Sequence, residues 1–190
     1  MQAPPLPPQK SNNVVLWVVL GVVAVCGCGG VVVLAAILFP VFSQAKLAAK
    51  QSQSLSNVKQ SSLAAIMYAS DYDEKMPPAE KWIDLTEVYA RNPAIYHSPA
   101  SEGPPNERYG YAFRAELSRK DTKKILDPQR WAMIFDSTKT GRNAVGGLDT
   151  LPSPPRFSGA SSSGKNTVGF LDGHAKMIPL NGDLGATGSD

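Results

Sequence analysis

Along this chain the apolar and polar positions sort into three regimes. From Val14 to Phe42 no charged residue interrupts the run VVLWVVLGVVAVCGCGGVVVLAAILFPVF. A bilayer core needs about 20 apolar residues in a helix, so the run predicts a transmembrane helix over 14–42. It is longer than the apolar part of a cleavable signal peptide, and no A-x-A site follows it. Trp17 suits the lipid–water interface at one end. Gly27, Gly29 and Gly30 weaken the helix locally, but in lipid the backbone has no other way to satisfy its polar groups. Beyond Phe42, the residues Leu47, Leu55, Val58, Leu63, Ile66 and Met67 recur mostly at spacings of three, four and eight. That period predicts an amphipathic stem helix over 43–75 with one covered face. No Pro or Gly lies between Val41 and Lys75, so the two helices read as one that runs on without a stop to about Tyr72. The Pro40 ring crowds the Ala36 carbonyl and predicts a kink at the join, and Pro77-Pro78 is the expected stop.

The third regime, 76–180, reads as a β-rich head. Ile83 to Ala90 is a short helix capped near Asp84, and the proline-rich stretch Ala94 to Gly110 is loop. Tyr109 to Phe113, Trp131 to Phe135 and Thr167 to Leu171 are short apolar or alternating runs bounded by turn residues, hence strands. Asp172-Gly173 is a hairpin signal, with His174 to Ile178 as the returning strand. The expected class is therefore α+β: a long N-terminal helix, transmembrane then amphipathic, packed on a small antiparallel sheet. The flanks are a proline-rich segment over 1–13, expected to be disordered, and a glycine-rich flexible tail over 181–190.

Charge changes this picture little. The net charge is +3, and the bases are scattered. The densest stretch sets Arg114, Arg119, Lys120, Lys123 and Lys124 against Glu116 and Asp121. It reads as a solvated face, so no nucleic-acid partner is expected. The only cysteines, Cys26 and Cys28, both lie in the apolar run, leaving none for a disulfide in the head. They are packing residues or a lipid-attachment site. The stretch Val23, Ala24, Val25 lacks the small residue expected just before a lipoprotein cleavage point, which favours packing.

Candidate chemistry is sparse. Asp71, Asp73 and Glu74 gather where the stem ends and could offer oxygen ligands to Ca²⁺, or form a solvated helix end. Asp172 with His174 is a metal pair, an acid–base pair, or a turn aspartate beside a strand histidine. The other histidine is His97, and Ser162 has no nucleophile elbow around it. No phosphate loop, zinc spacing or triad is present. The chain is expected not to be an enzyme, with no catalytic, cofactor-binding or metal residue and no cofactor.

The stretch LAAILFPVFSQAKLAAKQSQSLSNVKQSSLAAIMYASDYDEKMPP, Leu34 to Pro78, resembles the stem of a large group of pilin-like proteins. They carry a prepilin-type N-terminal segment and a C-terminal domain with a His, nine residues, then Asp-Gly. The matching residues include Leu55, Ser56, Asn57, Lys59, Gln60, Tyr68, Ala69, Asp71, Tyr72, Asp73, Glu74, Pro77 and Pro78. More thinly, Trp82 to Arg91, Tyr109-Gly110-Tyr111, Trp131 to Ser137 (WAMIFDS) and Val168 to Lys176 (VGFLDGHAK) are similar to head segments of the group. The resemblance implies a pilin-like or pseudopilin-like structural protein of a type IV pilus or type II secretion-like system. It implies a single pass through the cytoplasmic membrane, an exported C-terminal head, and as partners the bilayer and other pilin-like subunits through the apolar helix.

Three departures matter. Aligned on LAAILFPVF, the cleavage-site glycine of the group falls at Val18 and its acidic residue at Val23. A carboxylate in lipid persists only with a partner, and without cleavage no new amine exists to pair with it. This supports the alternative of a tethered binding or accessory domain that does not assemble. The Arg-His of the group stands here as Arg156-Phe157, and a cysteine before Pro-Ser is replaced by Ser98. Counting Lys46, Lys50 and Lys59 against Lys10 favours a cytoplasmic C-terminal side, opposite to what the resemblance implies.

Overall fold

The computed structural model describes residues 13–101, 104, 108–158 and 164–179, with the side chains of 24–33 outside the description. The chain divides into two compact units, one ending at Ala45 and the other beginning at Lys46. Helix α1, Asn13–Asp71, is assigned without interruption through Pro40. In the first unit its described apolar residues stand uncovered: Val14 is 72% exposed, Trp17 71%, Phe39 81% and Phe42 69%. Among the described residues no helix is long and apolar enough to cross a membrane. Residues 24–33, the middle of the apolar run, stand outside that description.

In the second unit α1 covers one face of a five-stranded sheet. The strands are β1 (Tyr111–Arg114), β2 (Ala132–Asp136), β3 (Val145–Gly146), β4 (Lys165–Phe170) and β5 (Ala175–Pro179), in the order β3-β1-β2-β4-β5. The fold is α+β, as expected, but the sheet is mixed rather than antiparallel. β3 runs parallel to β1, pairing Phe113 with Val145 and Arg114 with Gly146. The remaining neighbours are antiparallel, with Tyr111 opposite Asp136 and Thr167 opposite Met177. A two-residue strand is too short to leave an alternating pattern, so β3 had no legible signal. The hairpin at Asp172-Gly173 is as expected: Gly173 takes φ +87° and its amide donates to the Phe170 carbonyl.

The face of α1 that meets the sheet corrects the sequence reading. Of the six apolar residues assigned to the covered stripe only Val58 is fully buried, while Leu63 is 43% and Met67 52% exposed. The buried face is made mostly of small residues instead: Ser54, Ser61, Ser62, Ala64, Ala65 and Ala69, with Asn57, Val58 and Tyr68. Short side chains let the helix backbone come close to the strands. At Gly169 of β4 a Cβ would fall 2.4 Å from Ser62 Oγ and 2.7 Å from Val58 Cγ1. Around this contact Trp82, Tyr96, Tyr111, Phe113, Met133 and Ile134 form the main core. The opposite face of the sheet buries Ala112, Ala132, Phe135, Val168, Phe170 and Ile178 under Ala144, Leu148 and Leu151.

Two ends are also revised. The helix stops at Asp71, beside the expected end near Tyr72 and short of the 43–75 stem, because Asp73 and Glu74 take left-handed φ of 54° and 60°. The Glu74 amide then donates back to the Ala69 carbonyl at 2.8 Å, closing a Schellman-type end. The short helix α2 is Trp82–Thr86, followed by a 3₁₀ turn over Glu87–Tyr89. Asp84 does not cap it; Asn143 does, from a distant loop. Asn143 Oδ1 accepts from the Ile83 amide at 2.7 Å and the Asp84 amide at 3.3 Å.

Candidate functional site

A connected group of buried polar and charged side chains lies where α1, β1, β2 and β4 meet. Ser54 Oγ lies 2.9 Å from Tyr111 Oη and 3.0 Å from Thr167 Oγ1. The Thr167 amide donates to Asp136 Oδ2 at 2.5 Å, and Asp136 Oδ1 faces Arg156 Nε at 3.4 Å. Arg156 also donates to the Ser137 carbonyl and, at 3.1 Å, to Ser101 Oγ. Its backbone amide donates to Asn166 Oδ1, whose Nδ2 donates to the Pro152 carbonyl. Asp136 has no exposed surface. Burial pushes its carboxyl up to about 6, against the pull of the Thr167 amide and the Arg156 charge. Tyr111 is pushed up by burial first and by the Asp136 charge second.

This cluster joins layers. It links the stem helix to β1 and β4, and through Arg156 ties the end of β2 to the loops carrying Ser101 and Pro152. Its weakest element is the ion pair itself. Asp136 Oδ1 and Arg156 Nε are buried, and neither makes a hydrogen bond of good geometry. In the sequence Asp136-Ser137 and Arg156 stand in separate segments, and nothing local pairs them. The signal was present: Asp136 ends a strand whose five residues are all buried, and a carboxylate there needs a cation.

The other candidates are scattered. Asp71 Oδ2 accepts from Tyr89 Oη at 2.8 Å. Glu74 pairs with Lys123 and accepts from Thr122. Asp73 sits between them in a left-handed conformation. The three acids are thus turned to different neighbours or to solvent. Asp172 and His174 form a local turn, the Asp172 carboxylate meeting both the His174 amide at 3.0 Å and its ring Nδ1 at 2.5 Å. The His174 ring stacks on Phe170 at 4.2 Å. His97 lies far along the chain, edge-on to Tyr109 at 4.7 Å, its pKa lowered by burial and then by the Arg142 charge. Among the described residues no group of three His, Cys, Asp or Glu could hold a metal ion. Ser162 and the side chains of Cys26 and Cys28 lie outside the described residues.

In the basic stretch, Arg114 and Lys120 both approach the Trp131 ring, at 4.8 and 4.3 Å from its centroid, and Arg114 pairs with Glu116. Lys123 pairs with Glu74 and Lys124 with Asp121. These bases are held within the head. Elsewhere in the head Arg142 bridges Asp84 and Glu87. Burial pushes the Asp84 carboxyl up, but its bonds from Arg142 and Asn143 outweigh this and hold it below the usual range.

No family model, curated protein or solved structure matches the chain.

Proposed function

We propose that this chain is a membrane-anchored, pilin-like structural or interaction protein, with the apolar first half of α1 seated in the bilayer and the second unit as its exported head. One observation carries the reading. The same helix that packs a small-residue face on the sheet after Lys46 displays uncovered Val, Leu, Trp and Phe side chains before Phe42. Soluble proteins rarely leave so many large apolar side chains of one helix bare, and the uncharged run of 14–42 is long enough to span a bilayer. The resemblance of Leu34 to Pro78 to pilin-like stems gives the anchor its structural role. The system served is a type IV pilus or type II secretion-like machine of the cytoplasmic membrane.

A second reading, a tethered domain that does not assemble, is favoured by Val18 and Val23 at the processing positions. Mass measurement of the N-terminus of the chain recovered from membranes separates the two. A chain beginning near Val19 supports processing and assembly and rules out the second reading. A full-length chain found only as dispersed monomers, with none in sheared fibres or secretion complexes, rules out the first. Release of the chain into the aqueous phase without detergent ends both.

A further inference from the structure

Helix α1 carries no Asp or Glu from Asn13 to Ser70, and its only charged residues over that length are Lys46, Lys50 and Lys59. Lys46 and Lys50 follow Phe42 by four and eight residues in the same helix. Four apart, they lie on one side of it, where two like charges repel unless something neutralises them. No acid among the described residues of the head does. Among the described residues the ion pairs are Arg114–Glu116, Lys123–Glu74, Lys124–Asp121, Arg142 with Asp84 and Glu87, Arg156–Asp136 and His174–Asp172, and none includes a lysine of α1. Asp71, the first acid of the helix, is already engaged by Tyr89. By contrast Arg114, Lys123 and Lys124 of the dense head stretch each have an acidic partner, and Lys120 lies over the Trp131 ring. Two unmatched cations with long flexible stems, placed just past an uncharged apolar run and flanked by Ser43, Gln44 and Gln51, suit an anionic surface at the lipid boundary.

We propose that Lys46 and Lys50 bind the anionic headgroups of phospholipids in the leaflet on the head side of the membrane. This rests on the anchoring reading above and adds to it a lipid preference. The apolar run supplies attachment to any bilayer, and the lysine pair selects the negatively charged one. Lys59 is nine residues beyond Lys50, about 14 Å further along a helix, and lies beyond the headgroup layer.

The test uses the full chain reconstituted in vesicles of phosphatidylcholine alone and of phosphatidylcholine with phosphatidylglycerol. Each lysine is labelled with an amine-reactive ester and its rate read by mass spectrometry, while flotation reports attachment. Labelling of Lys46 and Lys50 is expected to slow about fivefold in the anionic vesicles. Rates at Lys59 and at the exposed head residues Lys139 and Lys165 are expected to stay unchanged. The protection should vanish in about 1 M salt, where the screening length falls to about 3 Å. Equal rates at Lys46 and Lys50 in both lipids, with the chain floating in both, overturn the headgroup assignment and leave the anchor standing. Equal slowing at all five lysines overturns it too, as a general surface effect. A chain that floats in neither lipid overturns the anchor and the headgroup assignment together.

Discussion

The crossing of α1 over β4 is the contact on which a single methyl group should be felt most. Replacing Gly169 by Ala puts a Cβ 2.4 Å from Ser62 Oγ, 2.7 Å from Val58 Cγ1 and 3.4 Å from the Ile134 carbonyl. Ordinary carbon contacts lie at about 3.5–4.0 Å, so the helix must move by roughly 1 Å or Val58 must leave its preferred rotamer. Ser62 Oγ has no partner and can rotate away, but Val58 is β-branched, fully buried and confined by the strands. Overpacking of this size costs about 1–3 kcal/mol. For a unit of this length that is a fall in Tm of about 4 °C per kcal/mol. The assay is thermal unfolding of the full chain in detergent, followed by near-UV circular dichroism. The buried Trp82 and Trp131 dominate that signal, whereas far-UV signal is swamped by helix persisting in the micelle. Val58→Ala should be destabilising alone yet recover much of the loss when combined with Gly169→Ala, because the new methyl takes the vacated space. A loss under about 0.5 kcal/mol for Gly169→Ala, or strict additivity of the pair, would refute the close seating of the stem on β4.

Removing one member of the buried ion pair should cost more than any surface change: Arg156→Met leaves a desolvated carboxylate and is expected to lose about 3–5 kcal/mol in urea unfolding at neutral pH. The folded pKa of Asp136, about 6, lies above its ordinary value of 3.8. Its contribution is therefore fully present below the unfolded pKa and lost as pH rises through the folded one. Wild type measured against Asp136→Asn should accordingly lose relative stability between about pH 4 and 7, and a gain over that window would contradict the assignment. Asp73→Gly removes a side chain from a left-handed position and should raise stability by about 0.5–1 kcal/mol, read from the same unfolding curves. Asn143→Ala removes the distant cap of α2 and should cost about 1–2 kcal/mol. Arg142→Ala should cost about 1 kcal/mol or less, despite its two salt bridges, because they are partly exposed.

The long helix, the four longer strands and the hairpin were legible because each carries a local signal: an uncharged run, an aromatic-rich alternation, an Asp-Gly. What escaped depends on residues distant in sequence. The stem buries serines and alanines fully and its leucines only in part, because a close helix-on-strand contact rewards small volume; a count of large apolar residues passes over that face. Asn143 as the cap of α2 joins positions 60 residues apart. Asp136 and Arg156, apart in sequence, are an ion pair only once β2 and the loop before β4 are folded. In each case the residue type was informative and the partner was not.

The two margins of the sheet carry a final consequence. One border is β3, only two residues long. The other is β5, which carries the exposed Lys176 and ends at Pro179, a residue with no amide to donate. Short, charged and proline-stopped borders resist the addition of a foreign strand. Were copies of this head crowded side by side, neither border would offer a long bare edge on which their sheets could join.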